Sequence, residues 1–437
     1  MNLTSRVTAA AVATSVSVLL AACAGGTEGS SSGATGKYSA PPSDTTATLS
    51  IANWGNPGDE KIYGDAIARF NKKYPNVKVE NNMSQVVNWG DYINKIQSSI
   101  ASGDSPDIIN IATEGVEYGL DKKLFQPLTN YTDQDASVKS LLDDVSPALI
   151  EGFSKDGKTY LLPNNWNTML VYYNPELFEK AGIQRPADDW TWDDFLTIAK
   201  KLTSAEGGKK VYGFGIPTYS FAYMPWIYSN NASTASDDLK SPTLDSPGTV
   251  EAIQFVSDLV FKEKVAPNPT GGDPTSLFQA GQIAMTASPA NLAASLAKNP
   301  SFKYDVLPMP GNKSQTNVFG AAGFAMYSGS KNKDLAWELL KELASQETQK
   351  MWAAGGSSNP TTTTAQKSEA FTKGKPHAEL FYNQIDHAKP VAAPSFFAAL
   401  DTAFQKAMTS VYAGQDVQKA LKQANDEVKA TAAQNGG

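Results

Sequence analysis

Trp54 stands between Asn53 and Gly55 with Asn56 one position on, and Glu114 directly follows Thr113; each group closes a short apolar run. Indole, amide and carboxyl side chains at such run ends can pack on the apolar side of a small molecule and hydrogen-bond its rim. That is the chemistry of holding a neutral ligand. Material for reaction chemistry is thin. His377 and His387 are the chain's 2 histidines, in a loop-rich stretch, and Cys23 is its 1 cysteine. This removes disulfide frameworks, thiolate metal sites and most imidazole catalysis. Arginine is confined to Arg6, Arg69 and Arg185, so bidentate capture of phosphate or carboxylate is poorly supplied. Aromatic residues are plentiful, with 8 Trp, 17 Tyr and 18 Phe. Lys plus Arg is 37 against 44 Asp plus Glu, a net charge of −7 with no basic block, which argues against nucleic acid. The adjacent carboxylates Asp193 and Asp194 make a poor catalytic pair, since neighbours on a helix diverge by about 100°. Behind Thr191 they read as the acidic start of a helix.

The elements that must position these side chains follow from periodicity. Leu49 and Ile51 alternate into a strand ending at Trp54; Ile62, Ala66, Ile67, Phe70 and Tyr74 recur at helical spacing; Val77 and Val79 alternate again. A helix through Tyr92, Ile93, Ile96 and Ile100 and an apolar strand from Ile108 to Ile111 complete a doubly wound α/β unit. Such sheets bind ligands at the carboxyl ends of their strands, which is where Trp54, Asn56 and Glu114 fall. Residues 157–175 read as a strand, a polar loop carrying Trp166 among Asn164, Asn165 and Asn167, a second apolar strand, and an Asn-Pro helix start. Tyr219 to Asn230 reads as an aromatic loop, residues 304–307 as a short strand, and residues 332–355 as one helix with a leucine face.

The first 46 residues stand apart. An uncharged run from Val7 to Leu20 is too short to span a bilayer and reads as a signal-peptide core. Leu20-Ala21-Ala22-Cys23 resembles a bacterial lipobox, which implies cleavage after residue 22 and lipid on Cys23. Residues 24–46, rich in Gly, Ser, Thr and Pro, read as a flexible tether that anchors the body to the outside of a membrane without spanning it.

Beyond these single features, the order of segments resembles the carbohydrate-type extracellular solute-binding proteins of ABC importers, most of all the maltose-binding-like group. The carriers are the lipobox, Ser102 through Ile108, Leu162 through Asn174, Phe178 through Ile183, Phe278 through Met285, Gly320 through Met326, and Ala336 through Leu340. The resemblance implies an α/β, two-lobed type II periplasmic-binding-protein-like fold, each lobe a doubly wound sheet with flanking helices and the ligand cleft between. Lobe one would take residues 47–160 plus 304–356, and lobe two 161–303 plus 357–437. It also implies a monomer without cofactor or metal that hands a carbohydrate to a membrane permease. Carried onto this chain, its pocket comprises Trp54, Asn56 and Glu114; Asn165, Trp166 and Asn167; Tyr219, Phe221 and Trp226; and Asn291 and Phe397. Asn167 stands where the maltose-binding group has a carboxylate, and Asn291 where it has a stacking Trp. A binder of a non-sugar solute such as a polyol phosphate or polyamine is the alternative, and a glycosidase using Glu114 with Asp188 or Asp189 is a more distant one.

Overall fold

The computed structural model describes residues 38–55, 57–84, 89–206, 209–269 and 274–435. Strands β1 (Ala47–Trp54), β2 (Val77–Ser84) and β3 (Ile108–Ala112) alternate with helices Glu60–Lys73 and Trp89–Ala101, as periodicity predicts. β1 pairs in parallel with β2 on one side and β3 on the other. Only alternate residues of β1 are buried, whereas all five of β3 are, as a strand covered on both faces requires. After a hairpin, β4 (Ser154–Lys155) and β5 (Lys158–Thr159), come β6 (Leu161–Thr168), β7 (Leu170–Tyr173), β8 (Ser204–Glu206), β9 (Lys209–Gly215), β10 (Ile283–Ser288), β11 (Asp305–Pro308), β12 (Asn317–Met326), β13 (Asn359–Pro360) and β14 (Ala388–Pro390).

Among the described residues these strands form two main sheets. The first runs β13-β6-β12-β3-β1-β2 with β14 on β12, and the second runs β11-β7-β10-β9-β8. The strands pass from one sheet to the other twice: through Met169 alone between β6 and β7, and through residues 309–316 between β11 and β12. Asn317 Nδ2 donates to the Met169 carbonyl at 2.8 Å and Thr168 Oγ1 to the Val318 carbonyl at 2.8 Å, so the two crossings are tied to each other.

Three expectations need correction. The polar run 163–168, expected as a loop, continues the strand begun at Leu161, and that strand belongs to the first sheet and not to a second lobe, because it pairs with β12 on one side and β13 on the other. Residues 305–308 belong to the second sheet, antiparallel to β7. The helix of 332–355 is two, Lys333–Ala344 and Gln346–Gly355, broken where Ser345 turns to ψ 158° and its hydroxyl caps Thr348 N–H. The capping box read at Thr191 and Asp194 is present, with both reciprocal hydrogen bonds.

Residues 38–46, assigned above to the tether, include a contact with the body at Tyr38. Its N–H donates to Gln134 Oε1 at 3.0 Å, its ring lies 5.4 Å from that of Tyr131, and its hydroxyl donates to Glu338. Glu338 is almost fully buried and also accepts from Lys73 at 2.6 Å and Lys341 at 2.7 Å. Burial alone would raise this carboxyl; the two lysines and the Tyr38 hydroxyl outweigh it and hold it below its ordinary value.

Candidate functional site

A cavity of about 760 Å³ opens between the two sheets at the carboxyl end of β1 and β3. An amide ladder positions its first wall. Asn53 Nδ2 donates to Asn81 Oδ1 at 2.9 Å, and Asn110 Nδ2 donates to Asn53 Oδ1 at 2.6 Å and to the Trp54 carbonyl at 3.1 Å. These bonds run across three neighbouring strands and hold the turn that carries Trp54. Trp54 meets the edge of Trp89 with ring centroids 4.2 Å apart, and both rings face the cavity. Trp89 was missed by sequence reasoning, although Asn88-Trp89-Gly90 repeats the tripeptide Asn53-Trp54-Gly55 one strand later. Asn56 lies outside the described residues.

The second wall comes from β6. Its register against β12 shifts between Ala322 and Gly323, opposite Asn164, where Pro163 cannot donate to a ladder. Past that bulge the alternation of a strand decides which side chains face the cavity. Asn165 and Asn167 line it; Trp166, between them, points the other way and is 1% exposed, its indole N–H donating to the Pro360 carbonyl at 3.0 Å. Trp166 is therefore a core residue and not a platform at the cavity. Asn167 is further oriented by its amide, which donates to Ser358 Oγ at 2.8 Å.

A second correction concerns residues 219–230. The expected loop is a helix, Ser220–Ser229, apolar on all sides and almost wholly buried despite Pro225 within it. Phe221 and Met224, with Tyr219 before the helix, line the cavity. Trp226 lies five positions beyond Phe221, about 140° around the helix, and packs against Phe195 at 5.2 Å and Phe255 at 5.6 Å. Asn291 is on the wall, accepting from Ser288 Oγ at 3.2 Å. Phe397 is there too, followed at intervals of four by Asp401 and Gln405, one stripe of the helix Phe397–Tyr412. That 397, 401, 405 spacing was the available signal for two residues not singled out from sequence.

The charged groups of the wall are acidic. Among the described lining residues there is no Lys, Arg or His; Asp59, Glu114 and Asp401 are present. Asp59 accepts from Ser357 N–H at 3.1 Å and Oγ at 2.7 Å. Neither Asp188 nor Asp189 is on the wall, and Asp188 instead bonds Arg185 at 2.8 Å. Glu114 opens the helix Thr113–Asp121 and accepts from Thr113 Oγ1 at 2.9 Å. Burial pushes its carboxyl up from 4.5 to about 7 against those hydrogen bonds, and Asp401 adds to the rise. Asp401 is likewise raised by burial, although the Ser220 hydroxyl donates to it.

Glu114 consequently costs stability at neutral pH. Below pH 4.5 it is protonated in folded and unfolded chains alike and contributes nothing. Between 4.5 and 7 the unfolded chain releases the proton that the fold retains, so stability falls as pH rises, by roughly 3 kcal/mol once above pH 7. Glu114→Gln is expected to equal the parent at pH 4 and exceed it by up to that amount at pH 8. Urea unfolding at the two pH values measures it, and equal differences at both would refute the assignment.

A profile of the bacterial extracellular solute-binding protein family matches residues 65–379, most of the chain. The chain belongs to that family. Within it, a binding protein of Brucella abortus is 28% identical over 298 residues, covering 65% of this chain and 69% of its own. The sn-glycerol-3-phosphate-binding periplasmic protein UgpB of Pectobacterium atrosepticum is 26% identical over 349 residues, covering 74% of this chain and 76% of its own. The ABC substrate-binding protein Lmo0181 of Listeria monocytogenes, solved in complex with cycloalternan, superposes with a TM-score of 0.78 at 26% identity, covering 89% of this chain and 99% of its own. The fold is accordingly the two-lobed type II arrangement, and the family's extracellular setting applies to this chain. No helix of the described residues is long and apolar enough to cross a membrane. Cys23 lies outside the described residues.

Proposed function

We infer that this protein captures a carbohydrate in the cavity between its sheets and delivers it to the permease of an ABC importer, held to the membrane by lipid on Cys23. The observation that carries this reading is the composition of one wall system: Trp54, Trp89, Phe221 and Phe397 offer ring faces, Asn110, Asn165 and Asn167 offer amides, and no cation is among them. Pyranose rings present a C–H face to an aromatic plate and hydroxyls to amides and carboxyls. A volume of about 760 Å³ is within the usual range of small-molecule sites. Capture then proceeds by hinge closure of the lobes, with no covalent step.

The likeness to a glycerol-3-phosphate binder favours a second reading, an anionic polyol. The wall weighs against it. Phosphate is met above all by Arg or Lys, and neither is among the described residues of the wall, whose charged groups are the carboxyls Asp59, Glu114 and Asp401. A thermal-shift screen of residues 38–437 against mono- and oligosaccharides, with sn-glycerol-3-phosphate alongside, separates the two. A bound sugar at 100 times its dissociation constant is expected to add about 2.7 kcal/mol of stability. Stabilisation by glycerol phosphate and by no sugar would overturn the carbohydrate reading, and steady release of reducing ends from a bound oligosaccharide would overturn the binding-only one.

A further inference from the structure

Two of the cavity's three buried carboxyls, Glu114 and Asp401, meet no cation among the described residues. Glu114 and Asp401 are each 6% exposed, they come from helices that pack on each other, and both line the wall. The groups facing them add no positive charge. Thr113 Oγ1 and Ser220 Oγ donate to them, Asp91 acts on Asp401 from the helix Trp89–Ala101, and the Tyr228 phenol senses Glu114 from the helix Ser220–Ser229. Elsewhere on the same wall Asn110 is 1% exposed and its Oδ1 has no hydrogen-bond partner. The two carboxyls therefore have neutral hydroxyl donors and no countercharge. Buried carboxylates are costly unless a hydrogen-bonded cation accompanies them, and the fold provides none here.

An aromatic face adjoins the acids. The point where a Cβ on Gly320 would stand is 3.2 Å from Phe221 Cε2 and 3.5 Å from Glu114 Oε1. Phe221 and the Glu114 carboxylate are therefore neighbours beside Gly320 on the cavity wall, so a cation drawn to Glu114 would have an aromatic ring close by. An ammonium group brings three donors and no acceptor, which matches the two carboxyls.

We propose that the captured carbohydrate carries a basic amine, and that this ammonium seats between Glu114, Asp401 and Phe221. The proposal rests on the carbohydrate reading above and narrows it to amine-bearing sugar units. It also accounts for a carboxyl left near neutrality: burial holds Glu114 at about 7, and an arriving ammonium stabilises its ionised form. A neutral sugar hydroxyl gives no comparable reason to ionise it.

Calorimetric titration of the full chain tests this with matched probes: glucosamine, galactosamine and mannosamine, and the disaccharide of glucosamine, each beside its N-acetylated and its hydroxyl counterpart at pH 7. At least one amine is expected to bind ten-fold or more tightly than both counterparts, with the advantage reduced in 0.5 M salt. Glu114→Gln is expected to abolish the advantage, so that on this variant the amine binds no more tightly than its neutral counterpart measured on the same variant. Asp401→Asn serves as the second variant should the first fold poorly. Neutral counterparts that bind as tightly as their amines in every matched set, or an advantage unchanged in both variants, overturn the proposal and leave the carbohydrate reading standing. If no sugar of any kind binds, here or in the thermal screen, that reading falls and takes this one with it.

Discussion

Trp226→Ala is expected to lower unfolding stability by about 3–5 kcal/mol while leaving sugar affinity of the folded protein almost unchanged. The indole is 2% exposed and packed among Trp192, Phe195, Phe214 and Phe255, so truncation opens a cavity between a helix and the second sheet with no mobile group to fill it. Urea unfolding gives the stability and calorimetry below the transition gives the affinity. Trp166→Ala is expected to behave alike, since the indole is 1% exposed and its loss leaves the Pro360 carbonyl with the Gln366 amide, at 2.8 Å, in place of two donors. A large loss of affinity with stability intact in either variant would return that tryptophan to the ligand site.

Trp54→Ala is expected to do the opposite. Its ring is half-buried against Trp89 and Tyr92 and faces the cavity, so its removal takes away a stacking surface without excavating the core. Affinity for the captured sugar should fall on the order of 30-fold, about 2 kcal/mol, which is the scale of a tryptophan anchor in a desolvated pocket. The urea midpoint should move little. Trp54→Phe should recover much of the affinity, because a smaller plate still offers a face; failure of the Phe variant to exceed the Ala variant would show that stacking is not what Trp54 supplies.

These contrasting tryptophans show what could be read from the chain and what could not. The β1–helix–β2–helix–β3 unit was legible because its apolar residues keep period two and 3.6 without interruption, and the strand-end rule then led to Trp54 and Glu114, which line the cavity. Trp166 was misplaced because Pro163, Asn164, Asn165 and Asn167 have loop composition, and nothing local reveals that Asn164 is a bulge whose amide is used by Tyr63 and Trp352. Once the run is a strand, alternation separates Trp166 from its two neighbours. Trp226 was misplaced for a related reason: a helix buried on every side has no apolar stripe, so its period is invisible and Pro225 suggests a break. Asp401 and Gln405 follow from Phe397 by helical spacing, yet only the fold shows that this stripe meets Glu114 from across the chain.

The tie between the two crossings bears on how a solute leaves. Met169 is fully buried and is the whole of one link, and the amide of Asn317, the residue just past the end of the other, fastens the two. If the walls part by the hinge closure proposed above, two links bound side by side favour a swing about one axis over a slide along the cleft. Opening then has one route, and every contact on the far wall must break together before the solute escapes. Residence time in such a jaw grows steeply with the number of sugar units that reach both walls, so a chain long enough to touch both is retained while a shorter fragment held by one wall departs quickly. Length of the solute is thereby read as a lifetime, by a hinge that touches no part of it.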